Sequence, residues 1–221
     1  MPIVKFDDTV KPKWRVFVYG KPGTGKTTLA SKIPGKSFIL SLDQSYMRVE
    51  GMKGKDIWSL DQNNPIEDIN DFVESFNPEG YDNLIVDNVT TLQKTWFVEK
   101  AKETGNGLDN KIQHYGEFTN YCIRLFAKIF SYPLNVFVTA HETQIEITNA
   151  EGQTFEQYAP DVRAGARDHI MGLCDIVGRM AINPKTGGRG VILVGNDGVF
   201  AKNCWDDRTA CPADELFKDK E

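Results

Sequence analysis

Short apolar runs alternate with stretches in which apolar residues recur every three or four positions, and that alternation sets the expected order of elements. Arg15-Val-Phe-Val-Tyr19 reads as a buried strand running into Gly20-Lys-Pro-Gly-Thr-Gly-Lys-Thr27, and Thr27 to Ile33 reads as a short helix that Pro34-Gly35 stops. Ser37 to Leu42 predicts a second buried strand and Asp56 to Leu60 a third, shorter one. Ile66, Ile69, Phe72, Val73 and Phe76 share one helix face before Asn77-Pro78 closes it. Asn83-Leu-Ile-Val-Asp87 is again strand-like, followed by a helical run carrying Leu92, Trp96 and Phe97. The longest amphipathic stripe runs through Tyr115, Phe118, Cys122, Leu125, Phe126, Ile129 and Phe130, and Leu134 to Thr139 predicts the strand after it. Strands alternating with helices imply parallel pairing with right-handed crossovers, hence an α/β sheet with helices on both faces.

Beyond Ala140 the pattern changes. Gln144-Ile-Glu-Ile-Thr148 alternates, Asn149-Ala-Glu-Gly152 is turn-like, and Thr154 to Tyr158 returns as a hairpin. A helix over Gly165 to Leu173 precedes strands over Asp175 to Ile182, Val191 to Val194 and Val199 to Asn203. The last third is therefore expected as a largely antiparallel extension of the same sheet. The predicted organisation is an arm over residues 1–13, one domain over 14–210 and a tail over 211–221.

Composition narrows the class. The 221 residues are 40% hydrophobic and 26% charged, ordinary globular usage that excludes wholesale disorder and fibrous chains. No apolar run approaches the ~18 residues of a membrane span, and Met1 to Lys13 lacks a signal peptide's apolar stretch, so the expectation is a cytoplasmic protein without membrane contact. The net charge of −5 repels polyanions as a whole and leaves nucleic-acid contact to a local basic patch. The four cysteines form no C-x-x-C and the three histidines do not flank them at zinc spacing, so reduced thiols are the expectation.

The strongest chemical signal is the stretch Gly20 to Thr27, a complete G-x-x-x-x-G-K-[ST] between a strand and a helix. Gly20, Lys21, Pro22, Gly23, Thr24, Gly25, Lys26, Thr27 and Thr28 form the expected nucleotide cradle. Its glycines let backbone N–H groups surround a phosphate chain, and the helix that follows adds its positive end. Lys26 reaches the β- and γ-phosphates in this reading, and Thr27 ligates Mg²⁺. Asp87 ends an apolar strand about 60 residues downstream, where a carboxylate is the natural partner of the phosphate-bound metal. Two further strand ends matter, because parallel sheets gather chemistry at their carboxyl edge. Asp43 is a candidate base for the attacking water or an exposed loop acid. His141 is a candidate γ-phosphate sensor or a packing histidine, and Glu142 beside it is a second candidate base.

In this order (the P-loop, Asp43, Leu-Ile-Val-Asp87-Asn-Val-Thr, then Val-Phe-Val-Thr-Ala-His141) the sites resemble those of RecA-like ATPases. With the short length and the ending Phe200-Ala-Lys-Asn-Cys-Trp-Asp-Asp-Arg208, the chain resembles the minimal phage-encoded members, the Sak-type recombination proteins also labelled phage nucleotide-binding or AAA-family ATPases. The resemblance spans about residues 14 to 210. It implies a RecA-like P-loop NTPase fold, Mg-ATP hydrolysis, single-stranded DNA as partner and a homo-oligomer in the host cytoplasm, with a single-stranded-DNA-binding protein as a candidate partner. It places Asp43 where the family usually has a catalytic Glu, and His141 where it usually has a Gln coupling the γ-phosphate to the DNA-binding loop. Glu142 to Asp168 then corresponds to that loop and Thr104 to Tyr115 to the shorter one before it. The large extra domains of full recombinases are lacking, so strand exchange is not implied.

Within Pro160 to Gly190, Arg163, Arg167, Arg179, Lys185 and Arg189 outnumber Asp161, Asp168 and Asp175. This local excess reads as a DNA-phosphate patch, as arginines donated to a neighbouring subunit's nucleotide, or as solvated surface. Arg163, Arg167, Lys185, Arg189 and Tyr158 are the candidate DNA contacts; Phe155 and Tyr158 either stack on bases or pack in the hairpin. The rival functions are a P-loop phosphotransferase, which needs an arginine-rich lid, an AAA-type helicase loader, which needs a helical lid, and a non-enzymatic nucleotide-binding adaptor.

Overall fold

A computed structural model describes residues 12–218. In chain order the strands are β1 (Arg15–Tyr19), β2 (Ser37–Ser41), β3 (Asp56–Ser59), β4 (Asn83–Asp87), β5 (Asn135–Ala140), β6 (Glu142–Thr148), β7 (Thr154–Pro160), β8 (Ile176–Ile182), β9 (Arg189–Ile192), β10 (Lys202–Asn203) and β11 (Ala210–Pro212). The helices are α1 (Lys26–Ser31), α2 (Pro65–Ser75), α3 (Val89–Ala101), α4 (Ile112–Ile129) and α5 (Ala164–Leu173).

The strands β3, β2, β4, β5, β1 and β8 lie side by side in that order, all parallel. Their sequences are continuous apolar runs because both faces are covered. On one face Phe17, Leu40, Leu84, Val86, Val136 and Val138 meet the apolar stripes of α2 to α5. On the other Val16, Val18, Ile39, Ile85 and Phe137 meet α1 and the chain's final turn. The P-loop strand β1 is separated from the acid-bearing β4 by β5. This is the strand order of a RecA-like P-loop NTPase, and it brings the ends of β1, β2, β4 and β5 to one edge.

The structure corrects the reading of the last third in four places. The β6–β7 hairpin, whose register pairs Thr148 with Thr154, forms its own two-stranded sheet. β8 pairs in parallel with β1, so only β9, β10 and β11 are antiparallel additions. A strand between β1 and β9 buries Ile176, Val177 and Met180 whichever way it points, so the sequence pattern could not tell its direction. The expected strand over Val199 to Asn203 shrinks to Lys202 and Asn203 pairing with β8. Residues 211–217, expected as tail, belong to the fold: Cys211, Ala213, Leu216 and Phe217 join the second core, and Trp14 stacks on Phe217 with ring centroids 5.0 Å apart. The expected arm, apart from Pro12 and Lys13, lies outside the described residues. Among the described residues no helix is long and apolar enough to cross a membrane.

Candidate functional site

Chain geometry between β1 and α1 makes a cradle only glycines permit. Gly23 and Gly25 adopt φ values of 81° and 101°, a region that costs other residues strain. A Cβ on Gly20 would stand 2.4 Å from the Met180 carbonyl oxygen, so the loop can leave β1 there only without a side chain. Thr24 is buried and its hydroxyl braces the loop on the Lys21 carbonyl at 2.9 Å. Lys26 is 6% exposed, and its ammonium folds back to donate to the Gly20 and Lys21 carbonyls at 2.8 and 3.0 Å. Burial lowers its pKa, while Asp87, Glu142 and Asp43 oppose that shift. A buried cation held only by loop carbonyls is poised to exchange them for phosphate oxygens.

Asp87, at the end of β4, is 2% exposed. Its Oδ2 accepts hydrogen bonds from Thr27 Oγ1 at 2.7 Å and Ser45 Oγ at 2.9 Å, and its Oδ1 accepts from Thr139. Burial pushes the carboxyl up from its usual range, the Thr139 bond pulls it down, Asp43 pushes it up, and Thr27 and Ser45 pull it down. The P-loop threonine and the strand-end aspartate, 60 residues apart in sequence, are thus in direct contact. Hard oxygens from a hydroxyl and a carboxylate beside a phosphate cradle are the donor set that Mg²⁺ takes, and among the described residues no cluster of three His, Cys, Asp or Glu offers another metal centre. The residues fit a phosphate-bound Mg²⁺.

The flanking strand ends converge on the same place. Asp43 follows β2; Asn88 Nδ2 donates to its Oδ2 at 2.5 Å and the Ser45 N–H to its Oδ1 at 2.9 Å. Asn88 has a second task, since its Oδ1 caps α3 by accepting from the Thr91 N–H at 2.9 Å. His141 directly follows β5, its N–H donating to Thr90 Oγ1 at 2.9 Å and its carbonyl accepting from the Asp161 N–H at 2.8 Å. Burial lowers the imidazole's pKa and Lys26 and Lys94 lower it further, against the opposing Asp43 and Asp161. Glu142 is captured by Arg179 through two bonds, Nε to Oε2 at 2.9 Å and NH2 to Oε1 at 3.2 Å. The guanidinium lies 3.6 Å from the centroid of the Tyr158 ring, and Tyr19, which precedes the P-loop, donates its hydroxyl to the Tyr158 carbonyl at 2.8 Å.

The candidate DNA contacts do not form one surface. Tyr158 lies under Arg179 and packs on the core, so its ring is not free to stack on bases. The β6–β7 hairpin carries Glu142, Glu146, Glu151 and Glu156 without a lysine or arginine, and Glu146 faces Glu156 directly across the strands. Like charges at that spacing repel a phosphate backbone, so the hairpin part of the expected DNA-binding loop, Glu142 to Asp168, is acidic. Arg167 is half-buried, its side chain 11% exposed, and it binds the exposed Asp168 at 3.0 Å. Arg163 is exposed and stacks over Tyr115 at 4.9 Å. Lys185 lies in the exposed turn between β8 and β9. Arg189, on β9, lies against the P-loop: its Cδ would be 3.1 Å from a Cβ on Gly25. With Gly25, Thr28, Leu29 and Asp214 it lines a cavity of about 240 Å³ next to α1.

Sequence reasoning missed Ser45, Asn88, Thr90, Thr139 and Tyr19, and it named Arg179 only within the basic patch, without its pairing to Glu142. Asn88 and Thr90 stood in plain view beside Asp87, whereas Ser45 sits in a polar loop that carries no periodic signal.

The fold is similar to that of the flagellar accessory protein FlaH from Methanocaldococcus jannaschii, at 11% identity over 89% of this chain and 83% of that one, with a TM-score of 0.47. No curated protein matches the sequence. The family model described as AAA domain matches residues 12–205, a span that holds the P-loop, Asp43, Asp87 and His141 alike. The chain belongs to this AAA domain family of P-loop ATPases.

Proposed function

We propose that the chain binds Mg-ATP between the P-loop and Asp87, hydrolyses it, and acts as an oligomer on single-stranded DNA in phage recombination, in the manner of the Sak-type proteins. The observation that supports the nucleotide half is the Thr27–Asp87 contact beside the buried Lys26. Lys26 exchanges the Gly20 and Lys21 carbonyls for phosphate oxygens, and the P-loop N–H groups hold the chain of phosphates. Thr27 and Asp87 would hold Mg²⁺, which would supply positive charge against the phosphates. Asp43 takes the proton of the water whose oxygen bonds to the γ-phosphorus as the bridging oxygen leaves with ADP. Asp43 suits that task better than Glu142, because its partners are the neutral Asn88 amide and the Ser45 N–H, whereas protonating Glu142 strands Arg179. His141, kept neutral by its surroundings, donates a hydrogen bond to the γ-phosphate.

For the DNA half, the exposed Tyr115–Arg163 pair offers what the hairpin does not: a tyrosine that is 40% exposed with a guanidinium over its ring. Among the described residues, the elements that follow α5 are the strands β8 to β11 and one 3-10 turn at Ala213–Glu215. The test is ATP turnover with and without single-stranded DNA. Stimulation by DNA that Arg163→Ala weakens supports the proposal. Turnover indifferent to DNA overturns its recombination half, and no turnover in either condition overturns the ATPase.

A further inference from the structure

Three oxygens meet at the end of β4. Thr27 Oγ1 and Ser45 Oγ lie 2.7 and 2.9 Å from Asp87 Oδ2 and 3.1 Å from each other, a nearly equilateral triangle. Mg²⁺ holds oxygens octahedrally at about 2.0–2.1 Å, so neighbouring ligands stand roughly √2 times farther apart, about 2.9 Å. The triangle has the dimensions of one octahedral face. Both hydroxyls have lone pairs and a rotatable O–H, so each can turn from donor to ligand while its oxygen stays in place.

The backbone shows that Ser45 is placed there at a cost. Gln44 adopts φ 58° and ψ 19°, the one non-glycine residue with positive φ among those described. A left-handed glutamine costs about 1–2 kcal/mol, and such strain persists where surrounding structure requires it. Here it turns the chain sharply after Asp43, so that the Ser45 N–H binds Asp43 Oδ1 while the Ser45 hydroxyl reaches Asp87. A loop in relaxed geometry has no such need to aim a serine at a buried carboxylate.

We propose that Ser45 is a third protein oxygen donor for the nucleotide-bound Mg²⁺, completing a face with Thr27 and Asp87 and tying the loop that carries Asp43 to the metal. The inference rests on the Mg-nucleotide reading above. It gives the metal site a part that the P-loop motif does not contain, and it makes the position of Asp43 depend on Mg²⁺.

The experiment titrates Mg²⁺ against binding of a fluorescent, non-hydrolysable ATP analogue, for the parent, Ser45→Ala and Ser45→Cys. Ser45→Ala is expected to raise the Mg²⁺ midpoint about tenfold, the lower end of what loss of a metal-supporting group costs. Its affinity for the analogue in EDTA is expected to match the parent's. Ser45→Cys is expected to bind poorly with Mg²⁺ and to recover with Cd²⁺, which prefers sulfur; a purely structural serine would show no such metal exchange. An unchanged midpoint in Ser45→Ala on a Mg²⁺-dependent parent overturns the inference alone, as does a Ser45→Cys protein that Cd²⁺ fails to rescue. A parent whose affinity ignores Mg²⁺ overturns the Mg-nucleotide reading, and the inference with it.

Discussion

Replacing Arg179 with Met should destabilise the protein far more than replacing its partner Glu142 with Gln, and the difference follows from what each change leaves behind. The Glu142 and Arg179 side chains are 5% and 16% exposed, joined by two bonds and covered on one side by Tyr158. In Arg179→Met a carboxylate remains buried without its counter-charge, a loss of about 3–5 kcal/mol. At roughly 2–4 °C per kcal/mol for a chain of this size, the melting temperature should fall by about 6–20 °C. In Glu142→Gln the guanidinium keeps its aromatic face, one amide acceptor and some solvent, so the loss should be about 1–3 kcal/mol. The double variant should melt above the sum of the two losses, because the charge that made the first change costly is gone. Thermal and urea unfolding of the four proteins measure all of this. An Arg179→Met protein melting within about 2 °C of the parent, or a Glu142→Gln protein melting below the Arg179→Met protein, would refute the reasoning. The same Glu142→Gln protein also reports on catalysis: it should keep turning over ATP, and a folded, nucleotide-binding but inactive protein would transfer the base role from Asp43 to Glu142.

Asp43→Asn should keep ATP affinity and slow hydrolysis by about 10²–10⁴-fold in single-turnover assays; parental rates would exclude it as the base. Gly20→Ala should distort the P-loop, since its Cβ meets backbone and not a movable side chain, and cost about 1–3 kcal/mol in unfolding experiments along with nucleotide affinity. His141 has a folded pKa below its ordinary value, so the unfolded chain takes up its proton first and stability is lost as pH falls through and below about 6.5. His141→Gln should therefore lose less melting temperature than the parent between neutral and mildly acid pH; equal losses would show that the histidine is not the group responsible.

The sequence by itself determined the elements and the cradle. β4 was legible to the residue, because a strand buried on both faces shows as the apolar run Leu84-Ile-Val86, bounded by Asn83 and ending in its one carboxylate, Asp87. The P-loop was legible because its constraint is local: Gly20 and Gly25 are demanded by neighbouring backbone and by φ, and Lys26 and Thr27 follow at fixed spacing. Even the β6–β7 hairpin was legible, since its turn and alternation lie within 19 consecutive residues. Tertiary structure alone decided which strand ends meet. A buried run pairs equally well with a parallel or an antiparallel neighbour, so β8 beside β1 could not be read from its pattern, and with it went the Glu142–Arg179 pair and the place of Arg189 on the P-loop. The same holds for Ser45 and Thr139, ordinary polar residues whose importance comes from a carboxylate 42 and 52 residues away. A hydroxyl's role is set by which buried charge it faces, and chain separation carries no trace of that distance in space.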